Sequence, residues 1–254
     1  MKQDVKWLEG GWQLVIQETA TSTSDVLFAQ QTLTEGMAVL ARQQTAGRGR
    51  QGRLWQSKLD DGMYLSLALF PKRAMRDWPS LSFVTALALL GALQQLIPDI
   101  KVGLKWPNDL LVNDKKICGI LLEAKQDMLV LGCGVNLKNA PDIAGARFPA
   151  TDLLKETGQR LAPQKLAEAF LGIFQTYYHD WQATGFSAHY DLYKSHLLFV
   201  SQHISITQGE HVVTGIMRGI SKTGDLLIED DKATVISLST GDVNLIGKID
   251  ATRD

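Results

Sequence analysis

Cysteine is scarce in this 254-residue chain: only Cys118 and Cys133 occur, each inside an apolar, strand-like run. Two thiols with no histidine pattern beside them make neither a zinc site nor a disulfide framework. They read as small buried hydrophobes in a reducing compartment. Long apolar runs are missing too. The most hydrophobic stretch, Phe83 to Ile97, is interrupted by Gln94 and Gln95 and stopped by Pro98, short of the roughly 20 residues a bilayer-spanning helix needs. No basic segment followed by an apolar one opens the chain, so a cytoplasmic protein with no membrane partner is expected. Positive charge is not in excess either, with 26 Lys+Arg against 27 Asp+Glu and a net charge of −1. Proteins that live on nucleic acid carry a broad basic surplus. A phosphate met by this chain is therefore expected to belong to a small ligand.

What is present describes a soluble globular protein, 45% hydrophobic and 21% charged, long enough for one large core or a core plus a small appended module. The first expected strand is Trp12–Gln17. Only eleven residues precede it, and an average helix already takes about 11–12, so an N-terminal helix-turn-helix and DNA binding are not expected. The run Thr19-Ala20-Thr21-Ser22-Thr23-Ser24-Asp25 is rich in capping side chains and predicts a helix over Val26–Gln31. Strands are expected at Met37–Arg42 and Met63–Phe70. Ser80 caps a helix to about Leu96, with Phe83, Ala86, Leu87 and Leu90 on one face. Leu110–Val112, Ile117–Glu123 and Leu129–Val135 read as an antiparallel meander joined by polar turns. Pro163 opens a helix whose Leu166, Phe170, Ile173, Phe174, Tyr177 and Trp181 recur at spacings of three and four, the pattern of core packing. From about Gln202 short β-rich runs alternate with glycines, which predicts a small all-β barrel. The expected fold class is α/β (α+β) with a mixed sheet, and the chain divides into residues 1–199 and 200–254.

Two segments carry the chemistry. Gly47-Arg48-Gly49-Arg50-Gln51-Gly52-Arg53 packs three guanidiniums onto a backbone loosened by three glycines. Glycine lets main-chain N–H groups approach an oxyanion, and arginine forks match phosphate and carboxylate. In an extended loop Arg48 and Arg50 point to one side and Arg53 to the other. Such a glycine-rich loop is expected to be mobile until an anion engages Arg48 and Arg50, with Trp55 helping to shut its edge. A solvated arginine loop or an RNA-binding segment reads the same residues; the near-neutral charge and the absence of further Arg-Gly repeats weigh against both. Lys105-Trp106-Pro107-Asn108-Asp109 forces an extended Trp-Pro step, then a turn presenting an amide and a carboxylate. Gln44 ends a strand with an amide suited to a neutral urea-like ligand. Lys116 starts a meander strand, where its ammonium is either an edge charge or reaches over the sheet. Gly132-Cys133-Gly134-Val135-Asn136 fails as a dinucleotide fingerprint after its second glycine and points instead to close backbone packing near a ligand.

Taken in order, Ser22-Thr23-Ser24, the 44–53 loop, Trp55, the 105–109 segment, Lys116 with Gly119, and the 132–136 turn resemble the biotin protein ligases. The resemblance covers nearly the whole chain, and the expected C-terminal barrel resembles that family's small SH3-like module; the match is to the short class without a DNA-binding domain. It implies ATP-dependent, Mg²⁺-assisted activation of biotin to biotinyl-5′-AMP and transfer to a lysine of a biotin carboxyl carrier protein, with a homodimer possible. It further implies that Ser22, Thr23, Ser24 and Gln44 line the ureido ring. Arg48, Gly49, Arg50 and Lys116 then meet carboxylate and phosphate, with Trp55 and Gly119 also on the substrate. Arg53, Asn108 and Asn136 fall to the adenylate, and Asp109 joins Arg50 and Lys116 as a candidate catalytic group; no resident metal site is expected. The lipoate and octanoate ligases share the wider fold, but an alkyl chain or dithiolane would want an apolar lining. Two departures stand out: Ser24 replaces the family's usual asparagine, and Ile246 stands where relatives often carry an arginine. The second weighs against a nucleotide contact from the C-terminal module.

Overall fold

Eight strands build the main sheet of the computed structural model, which describes residues 4–143, 146 and 148–246. They are β1 (Asp4–Trp7), β2 (Gln13–Ala20), β3 (Met37–Gln44), β4 (Gly62–Leu69), β5 (Gly103–Lys105), β6 (Asp109–Val112), β7 (Lys115–Lys125) and β8 (Met128–Asn136). Their order is β1-β2-β3-β4-β8-β7-β6-β5. β2 and β3 are parallel, and the remaining ladders are antiparallel. The sheet is therefore mixed. A parallel pair needs a crossover, here made by the short helix α1 (Thr23–Phe28). α1 begins three residues before the expected Val26 and stops at Phe28. Its N-cap Ser22 makes no side-chain cap hydrogen bond; the hydroxyls of Thr23 and Ser24 are used elsewhere, as described below. β1 was not foreseen, because all four of its side chains are exposed and leave no period-2 signal.

Helices α2 (Leu81–Leu96) and α4 (Pro163–Thr184) cover one face of the sheet. α2 was expected to bury one face. Instead it is buried nearly all round, from Leu81 through Leu90 without a break. Residues Met75–Leu96 are long and apolar enough to cross a membrane, but 72% of that window is buried inside the protein. On α4, Leu166, Phe170, Phe174 and Trp181 are buried as the spacing predicted, joined by Tyr178. On the opposite face, among the described residues, Leu27 of α1 packs in a small cluster with Val15, Val39, Ala68, Met128 and Val130.

Two short helices, α3 (Leu153–Thr157) and α5 (Tyr190–His196), lead to a second sheet of β9 (His203–Gln208), β10 (His211–Ile220), β11 (Leu226–Glu229), β12 (Val235–Leu238) and β13 (Asp242–Leu245). Its order is β12-β11-β10-β9-β13, so β12 and β13 are edges and no pairing closes a barrel among the described residues. The second sheet shares the main core: Ile204, Ile206, Met217, Leu226, Ile228 and Val243 belong to the same buried cluster as Phe83 and Trp106. Gly224, at φ +95°, lets the backbone press on Phe83, because a Cβ there would lie 2.1 Å from the ring. The Trp106 indole N–H donates to the Gly224 carbonyl at 2.9 Å. This docking brings β13 over the open end of β7 and β8.

Candidate active site

A cleft of about 570 Å³ opens where the C-terminal end of β3 and the β7–β8 hairpin meet residues 47–55 and β13. Its floor is a buried hydroxyl–amide network. The Thr23 backbone N–H and hydroxyl donate to Gln44 Oε1 at 2.8 and 3.2 Å. Ser66 Oγ, from β4, lies 2.7 Å from Thr23 Oγ1 and 3.1 Å from Ser24 Oγ. The first two residues of α1, Thr23 and Ser24, thus spend their hydroxyls on the floor. These groups are uncharged donors and acceptors in the interior, where a ligand offering complementary polar atoms binds well and an apolar one leaves them unpaired.

One wall is made of glycine. Gly119 of β7 and Gly134 of β8 face each other in register, and the Trp55 indole lies on them. A Cβ at Gly134 would fall 2.4 Å from that ring and one at Gly119 3.0 Å from it. The two glycines therefore exist to seat an indole. Trp55 Nε1 is buried with no hydrogen-bond partner among the described residues, and the Lys116 ammonium sits 5.8 Å over the ring centroid.

The 105–109 segment separates anchors from cleft groups. Trp106 is buried against the second sheet, and the Trp106–Pro107 bond is cis. Asn108 fixes the turn to β7 by donating its amide to the Ile120 carbonyl at 2.8 Å, while its Oδ1 accepts from Arg50 at 2.8 Å. Asp109 pairs with Lys116 at 2.7 Å and with Lys105 at 3.7 Å. Burial pushes the Lys105 ammonium below its ordinary pKa, against the pull of Asp109. A carboxylate held between two ammoniums is suited to orienting them.

Residues 47–53 form a closed hairpin, not an extended strand. The Trp55 N–H bonds the Gly47 carbonyl at 2.9 Å and the Gly49 N–H the Arg53 carbonyl at 2.7 Å. Between them Gln51 and Gly52 turn the chain at φ 56° and 72°. The turn lies beyond Arg50 and brings Arg53 round to its side, which corrects the expectation that Arg48 and Arg50 share one side and Arg53 the other. Arg48 is held by Asp25 at 2.7 Å and Glu123 at 3.2 Å. Arg50 and Arg53 instead converge on Asp242.

Residues 14–136 match the model of the Biotin/lipoate A/B protein ligase family. Over 246 residues the chain is 32% identical to the biotin–[acetyl-CoA-carboxylase] ligase of Mycobacterium tuberculosis, spanning 92% of this chain and 89% of that one. It is 33% identical to the enzyme of that name from Paracoccus denitrificans, over 84% of this chain and 92% of the relative. The chain belongs to the biotin protein ligase family. Among solved structures, biotin protein ligase from Aquifex aeolicus in complex with biotin and ATP superposes with a TM-score of 0.82 at 28% identity, covering 92% of this chain and 98% of that one.

Every site residue expected from the biotin protein ligase resemblance borders the cleft: Ser22, Thr23, Ser24, Gln44, Arg48, Gly49, Arg50, Arg53, Trp55, Asn108, Asp109, Lys116, Gly119 and Asn136. Asn136 is buried and donates its amide to the Thr151 carbonyl at 3.1 Å. Sequence reasoning missed the lining residues Ser66, Lys105, Thr207, Asp242 and Asn244, and Glu123 as a partner of Arg48. For Ser66 the signal was a lone hydroxyl in the apolar β4 run. For Lys105 it was a lysine followed at once by a buried tryptophan. The two cysteines are buried, and burial pushes both thiols above their ordinary range, the Cys118 thiol especially. No group of three His, Cys, Asp or Glu side chains gathers as a metal site among the described residues.

Proposed function

We propose that this chain activates biotin with ATP to biotinyl-5′-AMP and transfers the biotinyl group to a lysine of a biotin carboxyl carrier protein. One observation carries the reading: a floor of neutral hydroxyl and amide groups lies in the same cleft as Arg50, Lys105 and Lys116. A urea ring, a carboxylate and a phosphate are the three chemistries such a cleft takes in sequence. The relatives support it, since those from Mycobacterium and Paracoccus are named biotin–[acetyl-CoA-carboxylase] ligases and the Aquifex protein was solved with biotin and ATP.

In this reading Ser22, Thr23, Ser24 and Gln44 take the ureido ring. Trp55, seated on Gly119 and Gly134, covers the valeryl chain. The biotin carboxylate attacks the α-phosphorus of ATP and pyrophosphate leaves, so two anions approach and charge grows on the phosphoryl oxygens. Lys116 and Arg50 offset that charge, with Lys105 adding a third cation. Arg48, tied to Asp25 and Glu123, holds the hairpin, while Arg53, Asn108 and Asn136 border the adenylate end. The carrier lysine amine then attacks the acyl carbon and AMP departs; Asp109 keeps the two lysines in place for both steps. Mg²⁺ belongs with the triphosphate, as such ions bind through phosphates and water with few protein carboxylates. Asp109 and Asp242 border the cleft but are engaged with its cations, so the chain itself offers no ready cage.

The test is biotin-dependent pyrophosphate release by the purified protein, then labelling of a carrier domain, with lipoate in a parallel arm. Release with biotin and none with lipoate is expected. Release with lipoate alone would move the chain to the lipoate branch, and release with neither would remove the ligase reading. The same reading places the protein in the cytoplasm, divides it into catalytic residues 1–199 and a β-module of residues 200–254, and assigns it no operator. A footprint on promoter DNA at physiological salt would overturn the last point.

A further inference from the structure

Asp242 opens β13, in register with Thr207 of β9, and its side chain is 26% exposed at the edge of the cleft. It lies 189 residues from Arg53 in sequence, yet Arg53 Nη2 donates a hydrogen bond to its Oδ2. Arg50 Nη1 stands 3.6 Å from the other carboxylate oxygen. Among the described residues no other carboxylate lies within ion-pair distance of either guanidinium, whereas Arg48 has Asp25 and Glu123 to itself. Burial works against the charge on Asp242, but Arg53, Arg50 and Lys105 outweigh it and hold the carboxyl below its ordinary range. One carboxylate of the second sheet therefore faces three cations of the first.

We infer that Asp242 is a positioning residue: it latches the arginine hairpin to the second sheet, and a phosphate that engages Arg50 and Arg53 must displace it. The reason is shared chemistry. A carboxylate and a phosphate present the same pair of acceptor oxygens to a guanidinium fork, so both cannot take the inner face of Arg50 and Arg53 at once. Arg50 keeps its place through the exchange because Asn108 also accepts from it, at 2.8 Å. Apart from Asp242, the Arg53 guanidinium has among the described residues only Gln51, two residues away in the same turn, at 2.9 Å, so its tie to the second sheet depends on Asp242. The inference rests on the hairpin being the phosphate contact of the proposed reaction.

The hairpin carries its own reporter, since trypsin cuts after arginine. With no ligand added, Asp242→Asn is expected to be cleaved after Arg50 and Arg53 at least about fivefold faster than wild type, the size expected on losing a charge-assisted pair. In magnesium-free buffer the same variant is expected to bind inorganic pyrophosphate several-fold more tightly by calorimetry, because its internal competitor is gone. A general structural defect would weaken that binding. Asp242→Glu should restore both readouts towards wild type. Arg53→Gln, which breaks the pair from the other side, should speed cleavage after Arg50 but weaken pyrophosphate binding. Cleavage of Asp242→Asn at the wild-type rate overturns the assignment, and so does pyrophosphate affinity no tighter than wild type. Neither measurement uses biotin, so failure of the ligase reading shows separately, as no biotin-dependent pyrophosphate release by the wild-type protein.

Discussion

Lys116 lies between a carboxylate 2.7 Å away and the face of Trp55, an arrangement that keeps its charge inside the cleft and not along a solvent-facing strand edge. Lys116→Ala should slow adenylation by about 10- to 150-fold, the equivalent of roughly 1.5–3 kcal/mol for a charge-assisted hydrogen bond. A rate within about twofold of wild type in a biotin-dependent pyrophosphate assay would return it to an edge charge. Ser66 joins Thr23 to Ser24 through hydroxyl contacts of 2.7 and 3.1 Å. Ser66→Ala leaves two buried hydroxyls short of a partner and should weaken biotin binding by about 1–2 kcal/mol; calorimetry showing unchanged affinity would make Ser66 mere packing. At this scale residue types were legible and directions were not. The arginines, the hydroxyl run and the lysines could be named from spacing. Where Arg53 points depends on a positive-φ turn at Gln51 and Gly52 that glycine permits but does not announce.

The β7–β8 hairpin is built to accept an indole, and that makes one methyl group informative. Gly134→Ala places a Cβ 2.4 Å from Trp55; since Trp55 sits on a loop, the ring should yield and not the sheet. Expected outcomes are a shift in tryptophan emission and weaker biotin binding with little change in melting temperature. A large stability loss with unchanged emission would mean that the sheet had moved instead. At the other end of β7, Glu156 of α3 accepts from Thr151 at 2.6 Å, Asn113 at 2.6 Å and Lys115 at 3.2 Å. The chain after Pro149 in turn hydrogen-bonds the Lys116 backbone on both sides. Burial works against the Glu156 charge, but these donors hold its carboxyl below the ordinary value. The folded pKa is the lower one, so the stability it adds is present above the unfolded value near 4.3 and is lost as pH falls through the folded value. Glu156→Gln should therefore lose less melting temperature than wild type between about pH 5 and 3; parallel acid limbs would show that the cluster is not linked to folding. Elements with a buried stripe, such as α4 and the meander, were legible because burial imposes a period. β1 and the start of α1 were not, the first being exposed throughout and the second having its hydroxyls turned to the cleft.

Across the whole molecule, the two sheets share a core, and Trp106 is where they are joined. Trp106→Phe orphans the Gly224 carbonyl and leaves a small void where the indole's second ring lay, a loss of at least about 1–3 kcal/mol. At roughly 2–4 °C per kcal/mol for a protein of this size, the melting temperature should drop several degrees within one calorimetric transition. Two separated transitions would mean that the sheets melt independently. The sequence texture located the second sheet near Gln202 but could not show it leaning over the cleft, because that depends on contacts between residues more than a hundred positions apart, such as Trp106 with Gly224. The same remoteness has a consequence for biosynthesis. A ribosome releases the arginine hairpin long before it releases Asp242, so the nascent chain carries Arg50 and Arg53 without their counter-ion through most of translation. Until β13 emerges, that hairpin is a bare cationic loop beside a ribosome made largely of phosphate. The assembly of this cleft is therefore timed by the last described strand to be synthesised, whatever the order in which the rest of the chain folds.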